Sequence, residues 1–182
     1  MLALFLLGVP TVEWPSPQGL ALALAGAPVA CWAALRGESV ITRVLLRSHC
    51  SEVTRKLPVG VELVRPDLPG TSPTGGTAVL VWLLLVGAGE EMLFRGVLIS
   101  VARLAPGGPT MHGALIAASI VAFALSHAQL GFGEALRKMP LSIACFLAYL
   151  LSGTLLAPIA AHAGYNTYMW RARASGGVSG ER

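Results

Sequence analysis

Gly89-Glu90-Glu91-Met92-Leu93-Phe94-Arg95-Gly96 sets two adjacent carboxylates and a guanidinium inside a run that otherwise reads as lipid-soluble. Upstream, Ala78 to Val86 is uninterrupted apolar, and Val97, Leu98 and Ile99 resume the pattern after Gly96. A charge at mid-bilayer costs about 2.5 to 3.5 kcal/mol on insertion scales, so a chain keeps such residues where they pair or do chemistry. The stretch therefore points to a membrane fold whose function lies within the hydrocarbon layer.

The whole chain agrees with that reading. Its 182 residues are 54% hydrophobic and 12% charged, against about 25% charged in soluble domains, and the mean hydropathy is +0.69. The net charge of +4 is topological information, because no basic residues interleave with aromatics to track a phosphate backbone. Nucleic acid is set aside as a partner; the expected partners are the bilayer and a membrane-associated protein or peptide. Cys31, Cys50 and Cys145 are odd in number and widely spaced, which suggests neither a disulfide framework nor a metal knuckle. Met1 to Val9 is apolar but lacks a basic leader and is followed by Pro10, Glu13 and Pro15. It reads as an interfacial segment or the remnant of a span rather than a signal peptide.

Working outward from the charged stretch, span B runs from Thr77 to Leu104 and is stopped by the turn Pro106-Gly107-Gly108-Pro109. Before it, span A covers Gln18 to Leu35, with a kink expected at Gly26 and Pro28. Arg36 to Gly76 reads as a polar connector. Within it Ile41, Val44, Leu45 and Leu46, beside Arg43 and Arg47, predict a short amphipathic helix on the membrane surface. Span C follows from Met111 to Leu130, then a polar link from Gly131 to Lys138. Span D runs from Met139 to Leu156, and Pro158 divides it from span E, Ile159 to Trp170, with Trp170 and Arg171 as an interfacial anchor. Ala174 to Arg182 is a Gly/Ser-rich tail that reads as disordered. The fold class is thus all-α: a polytopic transmembrane helix bundle of five to six spans with a membrane-embedded active site, the sixth being Met1 to Val9. Three segments result: residues 1–76 (first span and basic connector), 77–171 (core) and 172–182 (tail).

Inside these spans the polar residues are few. Glu90 and Glu91 lie on B, His127 on C, and His162 with Asn166 on E. The spacing of four between His162 and Asn166 puts both on one helical face, and Glu91 and Arg95 share that spacing in the favoured order, acid before base. Glu90 points about 100° away from Glu91. A lone histidine in an apolar helix is most often a hydrogen-bonded packing residue, and Glu91 with Arg95 reads equally well as a structural ion pair. Two carboxylates, two imidazoles and an amide in three spans nevertheless favour function over coincidence.

The set resembles the CPBP family of intramembrane glutamic proteases, which includes CAAX prenyl endopeptidases and bacteriocin-processing or immunity proteins. The resemblance rests on Glu90-Glu91-x-x-x-Arg95 followed by Gly96, on Phe123-x-x-x-His127 and on His162-x-x-x-Asn166, in that order. It covers Thr77 to Arg171. Members commonly carry more spans before the first motif than this chain shows. The resemblance implies an endopeptidase with Glu90 as general base, His127 sharing or orienting the water, and His162 and Asn166 donating to the oxyanion. Glu91 and Arg95 would hold span B in register. A prenylated CAAX-type protein, a leader peptide or a similar membrane-associated chain would be the substrate, and the cell membrane the location.

Other protease chemistries fit less well. An aspartyl type needs two aspartates, and only Asp67 is present, in the connector. The serine-type match Gly177-Val178-Ser179-Gly180 falls in the tail, and HExxH is absent. No cofactor or metal is expected, although Glu90, His127 and His162 could supply three zinc ligands from separate spans. A non-proteolytic immunity factor or proton-coupled transporter is the alternative of a different class; Asn166, four residues after His162, suits an oxyanion site better than a proton relay. Orientation draws on two arguments that disagree. Eleven Lys or Arg on the side of Arg36–Gly76 against Arg103 alone make that side cytoplasmic, with Glu90 and His162 nearer the outer face. The resemblance instead implies a cavity open to the cytoplasm.

Overall fold

The computed structural model describes residues 16–47 and 76–176, and among these there is no strand. Helix α1 is Pro17–Arg47 and α2 is Thr77–Glu91. A π-helical stretch, Met92–Val97, joins α2 to α3, Leu98–Leu104. Helix α4, Pro109–Leu125, is followed by a 3-10 turn, Ala128–Leu130. Helices α5, Phe132–Ser152, and α6, Leu156–Gly176, complete the bundle. Among the described residues, four stretches are long and apolar enough to cross a membrane: Pro17–Leu45, Thr77–Leu104, Pro109–Leu130 and Phe132–Ser152. Helix α6 has the same length as α5 but carries His162, Asn166 and Arg171. The chain is an integral membrane protein built as a helical bundle.

Small residues bring the helices together. Ala23, Ala27, Ala30 and Ala34 line the buried face of α1, which packs on α5 and α6, as expected where lipid is no less apolar than leucine and close packing drives association. At Gly37 an added Cβ would lie 2.5 Å from the Pro140 side chain, so glycine is required for the α1–α5 crossing. Leu24, Trp32, Trp82, Leu85 and Leu151 point outward, where hydrocarbon solvates them.

Several boundaries differ from the sequence expectation. Span A does not end at Leu35: α1 continues through Pro28 to Arg47, so residues 41–47 extend the same helix and do not form a separate surface helix. Nothing between Arg36 and Arg47 breaks a helix, and Ser39 and Arg43 bond back to carbonyls one turn earlier. The link Gly131–Lys138 is helical from Phe132, with Glu134 and Arg137 paired one turn apart. The division between the last two spans falls at Gly153, whose φ of +66° ends α5. Pro158 instead occupies the first turn of α6, where its missing N–H costs nothing. Ala174 to Gly176 belong to α6; Met1–Val9, the connector beyond Arg47 up to Gly75 and the tail from Gly177 lie outside the described residues.

Contact pairs define the two ends of the bundle. Gly37 meets Pro140 and Leu45 approaches Gly133, so α1 and α5 are antiparallel. Leu83 bonds Asn166 while Glu91 bonds His162, so α2 and α6 are antiparallel as well. The end of α1, the start of α2, the α4–α5 turn and the end of α6 therefore share one end, and the Arg103 loop lies at the other.

Candidate active site

The charged stretch begins on regular helix and ends on a widened turn. Glu90 and Glu91 are the last residues of α2, and Leu98 N–H bonds to the Leu93 carbonyl five residues back. A π turn spreads its hydrogen bonds over one residue more than an α turn, which leaves a carbonyl over. The Phe94 carbonyl accepts from Ser119 Oγ on α4 at 2.8 Å.

Arg95 and Glu91 are almost wholly buried, at 1% and 0% exposure, and pair at 3.3 Å. Arg95 also donates to the Ser142 carbonyl at 2.7 Å and to Ser142 Oγ at 3.0 Å, and lies 4.5 Å over the Phe123 ring. Ser142 Oγ in turn donates to the Ile120 carbonyl. Glu91 Oε1 is 2.8 Å from His162 Nδ1. The pair thus reaches beyond its own helix and ties α2 to α4, α5 and α6.

Glu90 faces the other way. Its Oε1 lies 3.9 Å from His127 Nε2 and its Oε2 lies 3.6 Å from His162 Nε2. The sequence places His127 in an α-helical span, whereas α4 ends at Leu125 and His127 sits in the following turn, near the α4–α5 end of the bundle. Its Nδ1 lies 3.0 Å from the Phe123 carbonyl and 3.2 Å from Ser126 Oγ. Both Nδ1 atoms therefore meet oxygen acceptors, one a carbonyl and one a carboxylate, so each carries the ring proton when its imidazole is neutral. Both Nε2 atoms are turned toward Glu90.

Asn166 lies beside this centre on α6. Its Nδ2 donates to the Leu83 carbonyl at 3.0 Å, leaving its second N–H for another acceptor. Gly87 lets it approach: a Cβ there would stand 3.0 Å from Asn166 Nδ2 and 3.3 Å from His162 Cδ2. Glu90, His127 and His162 converge, and Asn166 flanks them toward the start of α2. Sequence reasoning missed Gly87, Ser119 and Ser142. A serine in each of spans C and D was the available signal, since a hydroxyl in hydrocarbon needs a partner.

Glu91, Cys145 and His162 also offer donor atoms within 4.8 Å of one another, all buried. Arg95 already supplies the positive charge that a cation would bring there, and His162 Nδ1 is bonded directly to Glu91.

A helical membrane bundle enclosing a carboxylate between two imidazoles has the parts of an intramembrane hydrolase. The family model for type II CAAX prenyl endopeptidase Rce1-like proteins matches residues 74–168, just over half the chain. The chain belongs to this family of intramembrane CAAX-type proteases. Comparisons with curated proteins and with solved structures gave no match.

Proposed function

We propose that the protein hydrolyses a peptide bond of a membrane-associated substrate by a water molecule that Glu90 activates. A prenylated CAAX-type protein, a leader peptide or a chain of similar character, held in the cell membrane, is the substrate class. The observation that carries the reading is the convergence of Glu90 with two Nε2 atoms at 3.6 and 3.9 Å. These gaps exceed a direct hydrogen bond and suit a bridging water. A water between Glu90 and neutral His127 donates both hydrogens, one to each, and presents its lone pair to a carbonyl carbon. Glu90 takes the proton as the C–O bond forms and later delivers it to the leaving amine.

The oxyanion needs donors on the opposite side of the carbonyl. His162 lies between Glu90 and Glu91, so its protonated form bridges two carboxylates, and its Nε2–H can turn to the oxyanion as negative charge moves there. Asn166 supplies its free N–H. Glu91 and Arg95 hold His162 in tautomer and place, with no contact to the reacting atoms.

The test compares purified wild type and Glu90→Gln on a peptide library, with and without a strong chelator. Gln keeps the shape but cannot take a proton, so cleavage falls by about 10² to 10⁴ while thermal unfolding in detergent is unchanged. Chelator-resistant cleavage lost in Glu90→Gln supports the glutamate reading. Metal-restorable cleavage transfers Glu90, His127 and His162 to zinc ligation. Full activity in Glu90→Gln would falsify the assignment, and the absence of cleavage in wild type would favour an immunity or transport role.

A further inference from the structure

Tyr165 stands on α6 three residues after His162 and one before Asn166, and is 1% exposed. Its hydroxyl marks a junction of three helices. It accepts from Lys138 Nζ on α5 at 2.7 Å and donates to the Glu38 carboxylate on α1. Lys138 Nζ also lies 4.6 Å from the Tyr165 ring centroid. The ring meets the His162 ring edge-on, with centroids 6.4 Å apart. Glu38 and Lys138 both fall within helices long enough to span the bilayer, where an isolated charge is costly and a compensated pair is not. The phenol between them joins the two charges in one network.

Helix α6 has need of such a contact. Apolar and polar residues are mixed around its axis, so a hydrophobic stripe does little to set its rotation. The side chains that do the chemistry must nevertheless face α2. We propose that Glu38, Tyr165 and Lys138 form a three-helix clamp that fixes the rotation of α6 and so holds His162 and Asn166 against α2. Glu38 is a positioning residue acting through Tyr165; Lys138 acts through Tyr165 too, and its charge is also felt at His127. Glu38 lies outside the residues matched by the family model, so the clamp couples α1 to a site built from the other helices. The effect on rate rests on the proteolytic reading above; the effect on helix register does not.

Register has its own reporter. A Cβ at Gly164 on α6 would lie 3.3 Å from Cys31 Sγ on α1, close to the roughly 3 Å that separates a Cβ from the distal sulfur in a disulfide. Gly164→Cys is therefore made in the full chain, alone and with Glu38→Gln, Lys138→Met or both. Oxidation in membranes is followed by mass spectrometry of the bond to Cys31. In parallel, kcat and KM are measured without Gly164→Cys. Each single substitution removes one arm of the Tyr165 junction and should slow cross-linking several-fold and lower kcat about tenfold, with KM within twofold. The double substitution removes both charges, and the amide introduced by Glu38→Gln can still accept from Tyr165, so it should recover most of both. Unchanged cross-linking in the singles overturns the clamp. Slowed cross-linking with unchanged kcat overturns its role at the site. If the parent cleaves nothing, the proteolytic reading fails, and cross-linking alone decides whether the clamp sets the register of α6.

Discussion

Glu90 keeps a quarter of its side chain exposed and faces two imidazole nitrogens across gaps of 3.6 and 3.9 Å, whereas Glu91, next in the chain, is fully enclosed and bonded to Arg95 and His162. Successive residues of a helix point about 100° apart, so one carboxylate looks toward the open side of the bundle and the other into its packed interior. The enclosed carboxylate is tied to Arg95 and His162, as a scaffold residue would be. The open one has partners just beyond reach, which is where a reacting water and substrate belong. On the mechanism proposed above, the same residue type divides into reactant and support by environment alone.

The sharpest way to break this comparison is to treat Glu91 as Glu90 is treated. Arg95→Met leaves Glu91 charged and enclosed without its guanidinium, which should cost about 3 to 5 kcal/mol and be seen as loss of folded protein in detergent melts. Replacing Glu91 by Gln and Arg95 by Met together removes both charges and should destabilise less than Arg95→Met alone. A double variant more stable than the single yet fully inactive would mean that the Glu91 carboxylate is needed for activity beyond its part in stability, through His162 or directly. A double variant no more stable than the single would remove the ion pair from the scaffold.

The flanking donor comes next. On the proposed mechanism Asn166→Ala removes one oxyanion donor and should lower kcat by about 10² to 10³, with melting barely altered, because the Leu83 carbonyl that it caps still sits in a regular helix. Gly87→Ala sharpens the same point from the other helix. Its Cβ, 3.0 Å from Asn166 Nδ2 and 3.3 Å from His162 Cδ2, must push both side chains by a few tenths of an ångström, and kcat should fall about tenfold. Wild-type kinetics in Gly87→Ala would show that the site tolerates this displacement and that Asn166 is not held to close tolerance.

Much of this arrangement is readable from the sequence. Span B, read as running from near Thr77 to about Leu104, agrees with the helical stretch Thr77–Leu104, because long apolar runs ended by Pro-Gly-Gly-Pro leave one solution. The polar residues inside the spans name the centre for the same reason: hydrocarbon makes each of them expensive, so few occur without cause. What escapes the sequence depends on tertiary partners. Arg36 to Arg47 reads as a connector when its charges are counted as solvated, yet Glu38 turns inward to Tyr165. Pattern alone assigns the break between the last two helices to Pro158, while the left-handed backbone of Gly153 makes it. Gly87 gives no signal, since only the approach of α6 shows why it lacks a side chain. The π stretch is equally silent: its residues are ordinary helix formers, and the widened turn shows only in which carbonyl each amide meets.

That turn supplies the smallest expected effect and the finest test of how Arg95 is placed against Glu91. Phe94 lies four residues after Glu90, and its carbonyl accepts from Ser119 Oγ on α4. Ser119→Ala removes that donor, a loss on the order of 1 kcal/mol, in line with single hydrogen bonds between membrane helices. The stretch can recover the bond by closing to α-helix, but this rotates Arg95 relative to Glu91 and so disturbs His162. Activity should therefore fall further than the change in stability accounts for, and amide hydrogen exchange over residues 92–99 should change in Ser119→Ala. Ser119→Thr, which keeps a hydroxyl, should restore both. If Ser119→Ala leaves melting, exchange and kcat as in wild type, neither the widened turn nor the placement of Arg95 against Glu91 depends on Ser119.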